Sequence, residues 1–151
     1  PISYFMGVSH NPPTLAFSAS PRRGNPKDTV FNIHKTGDFV VNVVTDELVE
    51  KMVLTSGDYD SNIDEFQIAK LTPATSVIVN SPRLLEAAIS MIEVGVAPDT
   101  LTLAEVDYFH IRDDLYRNGE IDISSLKPIG RLSSNMYSYT HELFSISSPK
   151  I

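Results

Sequence analysis

The sequence predicts a mainly β protein with short helical decorations, an antiparallel barrel or sandwich rather than a doubly wound sheet. Three observations lead there. Several β-branched or alternating runs are bounded by Gly and Pro turns, only two short helical segments join them, and the regular strand–helix–strand alternation of a parallel sheet is missing. Neither G-x-G-x-x-G nor G-x-x-x-x-G-K-[ST] occurs, so no dinucleotide fingerprint or P-loop supports the parallel alternative.

Taken in chain order, a first strand is expected over Thr14 to Ala19, entered through Asn11-Pro12-Pro13, because paired prolines suit the start of an extended segment. Asp28 is a good N-cap for a short helix over Thr29 to Ile33, which Thr36-Gly37 would end. Phe39 to Val44 carries the strongest strand signal, being β-branched, apolar and bounded by Gly37 and Thr45-Asp46. Asp46 should cap a second helix over Glu47 to Leu54, where residues 48, 49, 52 and 53 recur at helical spacing behind an acidic first turn. The polar stretch from Thr55 to Asn62 reads as a loop, with Phe66 as an apolar anchor beyond it, and Thr75 to Asn80 as a short strand closed by Ser81-Pro82.

Leu84 to Val96 is ambiguous. Its alanines, leucines and methionine favour helix, yet Ala88, Ser90, Ile92, Val94 and Val96 share one alternating face. Leu101 to Ile111 reads as a long strand from its β-branched and aromatic content, with Leu101, Leu103 and Glu105 set against Thr102, Ala104 and Val106. Asn118-Gly119 marks a turn, and Asp122 to Leu126 leads into Pro128.

With 151 residues the chain suits one domain over 1–151. Its 42% apolar and 21% charged residues are ordinary for a globular protein, and no apolar run approaches the ~18 residues that cross a bilayer, so a soluble protein with no membrane partner is expected. The absence of cysteine excludes disulfides, thiolate metal sites and a cysteine nucleophile, and fits a reducing, cytoplasmic location. A net charge of −7 with no basic face lacks the footprint for nucleic acid. The sequence opens at Pro1 without an initiator methionine or a signal-like segment, so further N-terminal sequence is expected ahead of it.

Against that acidic background, three of the twelve basic residues, Arg22, Arg23 and Lys27, fall within six positions between the first strand and the first helix. Ser18, Ser20 and Thr29 add hydroxyl donors and the loop can turn backbone N–H groups toward a phosphate, which makes Ser18 to Thr29 a candidate anion cradle. A solvated loop whose charges only aid solubility is the plain alternative. Hydrolytic signatures are missing: there is no G-x-S-x-G and no H-E-x-x-H, and His10, His34, His110 and His141 show no ligand spacing, so no metal site is expected. The acidic pairs Asp58/Asp60, Asp64/Glu65 and Asp113/Asp114 read as solvated loops. Tyr4-Phe5 before the cradle and Tyr137 and Tyr139 after it could border a planar ring, or serve as core. Anion capture, backbone donors and aromatic cover together are what a flavin requires.

Pro1 to Phe5, Asn11 to Pro13, Phe17-Ser18, Lys27-Asp28-Thr29, Asn32-Ile33 and Thr36 to Asn42 resemble, in order and spacing, the flavin reductase-like family of FMN-binding split barrels, the flavoredoxin type. Glu65-Phe66, Leu71-Thr72, Ser81-Pro82-Arg83 with Glu86, Glu93, Ala104 to Val106 and Arg131-Leu132 with Tyr137 look like its later landmarks. The resemblance implies a six-stranded antiparallel Greek-key split barrel, a homodimer with FMN near the subunit interface, and the stretch Leu85–Val96 as a barrel strand. It also implies cofactor contacts from Ser3, Tyr4, Phe5, Ser18, Ala19, Ser20, Arg23, Lys27, Asp28, Thr29 and Tyr137, with no proton-transfer residue required. The activity implied is that of an NAD(P)H-dependent flavin reductase with NADH or NADPH as co-substrate, the alternative being an FMN carrier without turnover. Two departures stand out: the family's strand and Asn-x-Ala ahead of the Ser-Tyr-Phe motif are missing, and Ile92 stands where some members have cysteine.

Overall fold

A computed structural model of the chain describes residues 1–2, 4–19, 21, 26–96 and 101–149. The elements in chain order are β1 (Tyr4–His10), β2 (Pro13–Ser18), α1 (Asp28–Thr36), β3 (Asp38–Asn42), α2 (Val49–Leu54), α3 (Glu65–Ile68), β4 (Pro73–Ala74), β5 (Arg83–Leu84), β6 (Ile89–Val96) and β7 (Leu101–Ile111). A 3₁₀ turn at Asp113–Leu115 follows, then β8 (Tyr116–Arg117), β9 (Glu120–Ile121), α4 (Ile123–Leu126), β10 (Ile129–Arg131) and β11 (Tyr137–Tyr139).

Five strands form the principal sheet in the order β1-β2-β7-β6-β3, every pair antiparallel. Counting β2, β3, β6 and β7 as four successive strands, the first lies beside the fourth, which is a Greek key. The principal sheet therefore has five strands among the described residues, where six were expected. Its curvature shows in one contact. Two strands separate β2 from β3, so a flat sheet would hold their backbones about 14 Å apart, yet the rings of Phe17 and Phe39 meet edge to face at 5.3 Å between centroids. Register shifts at Gly7/Ser9 on β1 and at Ile92/Glu93 on β6 supply the local bends that let strands coil this way.

Helix α1 closes the mouth of the curl. Val30 and Ile33, three residues apart on one helix face, are buried against Phe17, Ala19, Phe39 and Ala104. A second cluster of Ala88, Ile89, Leu115 and Leu126 seals the other end of the sheet. On β7, Thr102, Ala104 and Val106 face this interior while Leu101, Leu103 and Glu105 face out. Small side chains are the ones that fit a space already occupied by two phenylalanines and a helix.

Several local expectations are corrected. The first strand is β1 (Tyr4–His10), preceding the one anticipated at Thr14; it is an exposed edge along its whole length, so no buried alternation marks it in the sequence. Asp28 is not the cap of α1 but its first residue: Lys27, in extended backbone, occupies the N-cap and its carbonyl accepts from Val30 and Phe31. Asp46 does not cap α2, which begins at Val49, because Asp46 to Leu48 form a turn whose carboxylate faces His141 Nε2 at 3.7 Å. No strand runs from Thr75 to Asn80. There the Asp38 carboxylate accepts from the backbone N–H groups of Asn80 and Ser81, both at 3.2 Å, and from the Ser81 hydroxyl, so a side chain does what a neighbouring strand would have done.

The ambiguous segment is a strand from Ile89 onward, with Ala88, Ser90 and Ile92 buried at alternate positions; packing of that face overrides helix propensity. Asn118 and Gly119, both at positive φ, turn the β8–β9 hairpin as their type I′ preference dictates. Asp122 caps α4, a helix not anticipated, by accepting from the N–H of Ser125.

Candidate functional site

The end of the sheet where β1 begins and β2 finishes carries the candidate site. Tyr4 lies opposite Ser18 and Phe5 opposite Phe17, so the aromatic pair and the start of the basic loop share two ladder positions. Ala19, one residue on, is buried with Val30 and Ile33, and this apolar contact ties the loop to the first turn of α1. The structure thus brings together Tyr4, Phe5, Ser18, Ala19, Lys27, Asp28 and Thr29. Ser3, Ser20 and Arg23, also assigned to the site, and Arg22 lie outside the described residues.

What this corner can do follows from helix geometry. The backbone N–H groups of Asp28 and Thr29 have no intrahelical acceptor, and nine residues of aligned peptide dipoles leave partial positive charge at this end. The half-buried Lys27 makes no side-chain cap, and among the described residues its ammonium has neither a hydrogen bond nor an ion pair. Its charge is felt nearby. The Pro1 amine is held below its usual range, first by burial and then by Lys27, with Glu65 acting in the opposite sense. The Lys27 ammonium, the N–H groups of Asp28 and Thr29 and the exposed Thr29 hydroxyl are donors of the kind that a multiply charged oxyanion takes.

Along the same strands a cavity of about 280 Å³ opens, lined by Gly7, Leu15, Met91, Val106 and Phe109 among others, with Ser9, His10 and Thr14 also lining it. Gly7 is two residues beyond Phe5, and their partners Leu15 and Phe17 lie on the same face of β2, so the aromatic corner and the cavity are continuous. Sequence reasoning missed this groove. Its lining comes from four strands, and only the cross-strand register brings those residues together.

Tyr137 sits elsewhere. It lies on the β10–β11 hairpin, which is tethered through Ile129 N–H to Val44 and through a Thr45–Pro128 bridge, beyond the end of β3 remote from Asp38. Its ring is covered by the Arg131 guanidinium at 4.7 Å, and its hydroxyl accepts from Arg131 Nη1. At that same far end, His110 Nε2 and Arg83 Nε are buried without a partner among the described residues, and burial followed by the Arg83 charge holds the His110 imidazole below its usual pKa. The described residues contain no cluster of His, Cys, Asp or Glu suited to a metal, and no helix among them is long and apolar enough to cross a membrane.

Comparison with known proteins bears on family and fold. Residues 1–123 match the family model of the flavin reductase like domain. A protein of Aquifex aeolicus is 36% identical over 144 residues, covering 91% of this chain and 74% of its own. Among solved structures, nitrilotriacetate monooxygenase component B from Bacillus cereus superposes with a TM-score of 0.90 at 34% identity, over 97% of this chain and 78% of its own. A protein with a split barrel domain from Shewanella frigidimarina gives 0.87 at 21%, over 98% and 77%, a likeness of fold.

Proposed function

The chain belongs to the flavin reductase-like family of split-barrel proteins, and from that premise we propose that it is an FMN-dependent oxidoreductase that uses NADH or NADPH. The observation that carries this reading is the N-terminus of α1, where Lys27 makes no side-chain cap, tied through Ala19, Val30 and Ile33 to the strand end at which Tyr4 lies opposite Ser18 and Phe5 opposite Phe17. FMN asks for that pairing of chemistry, donors for its phosphate and aromatic cover for its ring.

In this reading Lys27 and the N–H groups of Asp28 and Thr29 hold the phosphate, with Ser18 and Thr29 hydroxyls as further donors and Ser20 and Arg23 completing the loop. The Ser3-Tyr4-Phe5 segment borders the ring, and Ala19 packs with Val30 and Ile33 beneath the loop. The chemistry FMN supplies when bound is acceptance of hydride from a reduced nicotinamide and onward transfer of electrons. The work of the protein is placement: the groove beyond Phe5 gives a second planar substrate an apolar wall. No side chain has to move a proton in this scheme.

That groove is slightly smaller than the roughly 300–1,000 Å³ usual for enclosing a ligand of this kind, which supports a second copy of the chain, bringing Tyr137 with it, as the remaining wall. A cysteine-free chain of this kind suits the cytoplasm. Mixing the protein with FMN and NADH or NADPH under anaerobic conditions tests the reading. Accelerated loss of the flavin's visible absorbance is expected; tight binding with no acceleration by either nicotinamide makes the protein a carrier instead.

A further inference from the structure

The groove beyond Phe5 has a polar end. Leu15, Val106 and Phe109 give it an apolar wall, whereas Ser9 and Thr14 line it where β1 and β2 approach their hairpin. A bulge puts these two residues together. From Tyr4 opposite Ser18 to Gly7 opposite Leu15 the strands pair in regular register, and the next regular pair would set Val8 against Thr14. The register shift between Gly7 and Ser9 adds one residue to β1, so Ser9 takes that place and a hydroxyl stands where valine would have been. Bulges re-aim side chains in this way beside functional sites.

Residues opposed across an antiparallel pair hold their Cβ atoms about 4.5–5.5 Å apart, close enough for both side chains to act on one small group. A hydroxyl can ordinarily both give and take a hydrogen bond. Here the backbone commits the two in opposite directions. The Ser9 hydroxyl oxygen accepts from the Asn11 N–H at 3.2 Å, which leaves its own proton to donate. The Thr14 hydroxyl donates to the Pro12 carbonyl at 3.0 Å, which leaves it lone pairs alone. Neither hydroxyl has another partner among the described residues.

The hairpin end of the groove therefore presents one donor beside one acceptor. A primary amide answers both at once, because its carbonyl oxygen accepts from Ser9 while its NH₂ donates to Thr14. An ionised carboxylate has no proton for Thr14 and sets its charge against those lone pairs. The Glu105 carboxylate, opposite Thr14 on β7, adds like charge near that position and disfavours an acid further.

We propose that Ser9 and Thr14 read the carboxamide of the nicotinamide substrate and select it over the corresponding acid. This rests on the functional reading above and adds which residues recognise the second substrate. With the amide at the hairpin end, the pyridine ring extends along the apolar wall toward Phe5 and the aromatic corner. The carboxamide is attached beside the ring carbon that gives up hydride, so holding it fixes the position of the reacting carbon. Neither hydroxyl has to gain or lose a proton.

The test uses the full chain loaded with FMN and oxidised dinucleotides, which bind without reducing the flavin. Nicotinamide adenine dinucleotide, with or without its 2′-phosphate, is compared with the analogue that carries nicotinic acid in place of nicotinamide, and the change in flavin absorbance is followed. Wild type should bind the amide form at least about tenfold more tightly. Thr14→Val keeps the β-branched shape that suits a strand but removes the acceptor, so the preference should fall to about twofold or less, with FMN affinity unchanged. Thr14→Ser should restore it. Equal affinity for amide and acid, or a preference that survives Thr14→Val, in a protein whose flavin NADH or NADPH still reduces, would overturn the Ser9–Thr14 reader and leave the functional reading standing. A flavin that neither nicotinamide reduces would overturn the functional reading and this proposal with it.

Discussion

The cradle end of the molecule and its C-terminal region are held in opposite ways. At the cradle, apolar burial does the work: Phe17, Ala19, Val30, Ile33, Phe39 and Ala104 form one cluster, and the exposed polar groups of Lys27, Asp28 and Thr29 stand on it. In the C-terminal region, beyond the residues matched by the family model, polar contacts tie the β10–β11 hairpin to the body, among them the Thr45–Pro128 bridge, the Ile129 bond to Val44 and the Asp46 N–H on the Lys127 carbonyl, while the Thr140 hydroxyl on Pro128 joins the two ends of the hairpin. A binding group is useful when its base does not move, and the apolar cluster under Lys27, Asp28 and Thr29 supplies such a base.

Substitutions can break that contrast if it is wrong. The largest effect is expected from Phe17→Ala, which removes a buried ring from the seat of α1 and should cost about 3–5 kcal/mol of unfolding free energy, read by urea denaturation; a loss below 1 kcal/mol would mean that the cluster is not what fixes the cradle. Lys27→Ala should leave the denaturation midpoint nearly unchanged but weaken FMN roughly 10- to 100-fold, the worth of a charge-assisted hydrogen bond, as measured by flavin fluorescence titration. In the other region, Arg131→Ala removes only an exposed cation–π contact with Tyr137 and two hydrogen bonds within the hairpin, so a loss of about 0.5–1 kcal/mol is expected; a loss rivalling that of Phe17→Ala would abolish the distinction.

The smallest effect is a pH dependence. Hydrogen bonds from the Ser124 hydroxyl, then from Ser125, lower the Asp122 carboxyl from 3.8 to about 2. A depressed folded-state pKa means that the cap stabilises fully above about pH 4 and is lost as the pH falls through about 2. Amide exchange at Ser125 should therefore accelerate only in that acid window, and Asp122→Asn should remove the dependence without touching flavin affinity.

How much of this was legible beforehand depended on whether the cause was local. The β3 strand announced itself because Phe39, Val40 and Val41 are apolar or β-branched between Gly37 and a polar turn, and Gly37, at a φ of +73°, closes α1 as its sequence position suggests. The basic cluster of Arg22, Arg23 and Lys27 stood out as a candidate anion cradle by its contrast with an acidic chain, with a solvated loop as the alternative, and the resemblance to the family added Asp28 to it. What stayed hidden was set by distant partners. Asp38 replaces a strand at Asn80-Ser81 across 42 residues, and the β1 edge has no buried face to betray it. The inward turn of Thr102 and the outward turn of Leu101 and Leu103 depend on what fills the curl, which no window of β7 contains. Resemblance to the family resolved the helix-or-strand ambiguity before Leu101, where the residues alone had left it open.

The central claim is that the open end of α1 with Lys27 holds the flavin's phosphate. Titrating the protein with FMN and with riboflavin, which has the same ring and no phosphate, tests it directly by fluorescence quenching. The account predicts FMN bound at least about tenfold more tightly than riboflavin, with the difference abolished in Lys27→Ala; equal affinity for the two flavins in the wild-type protein would contradict it.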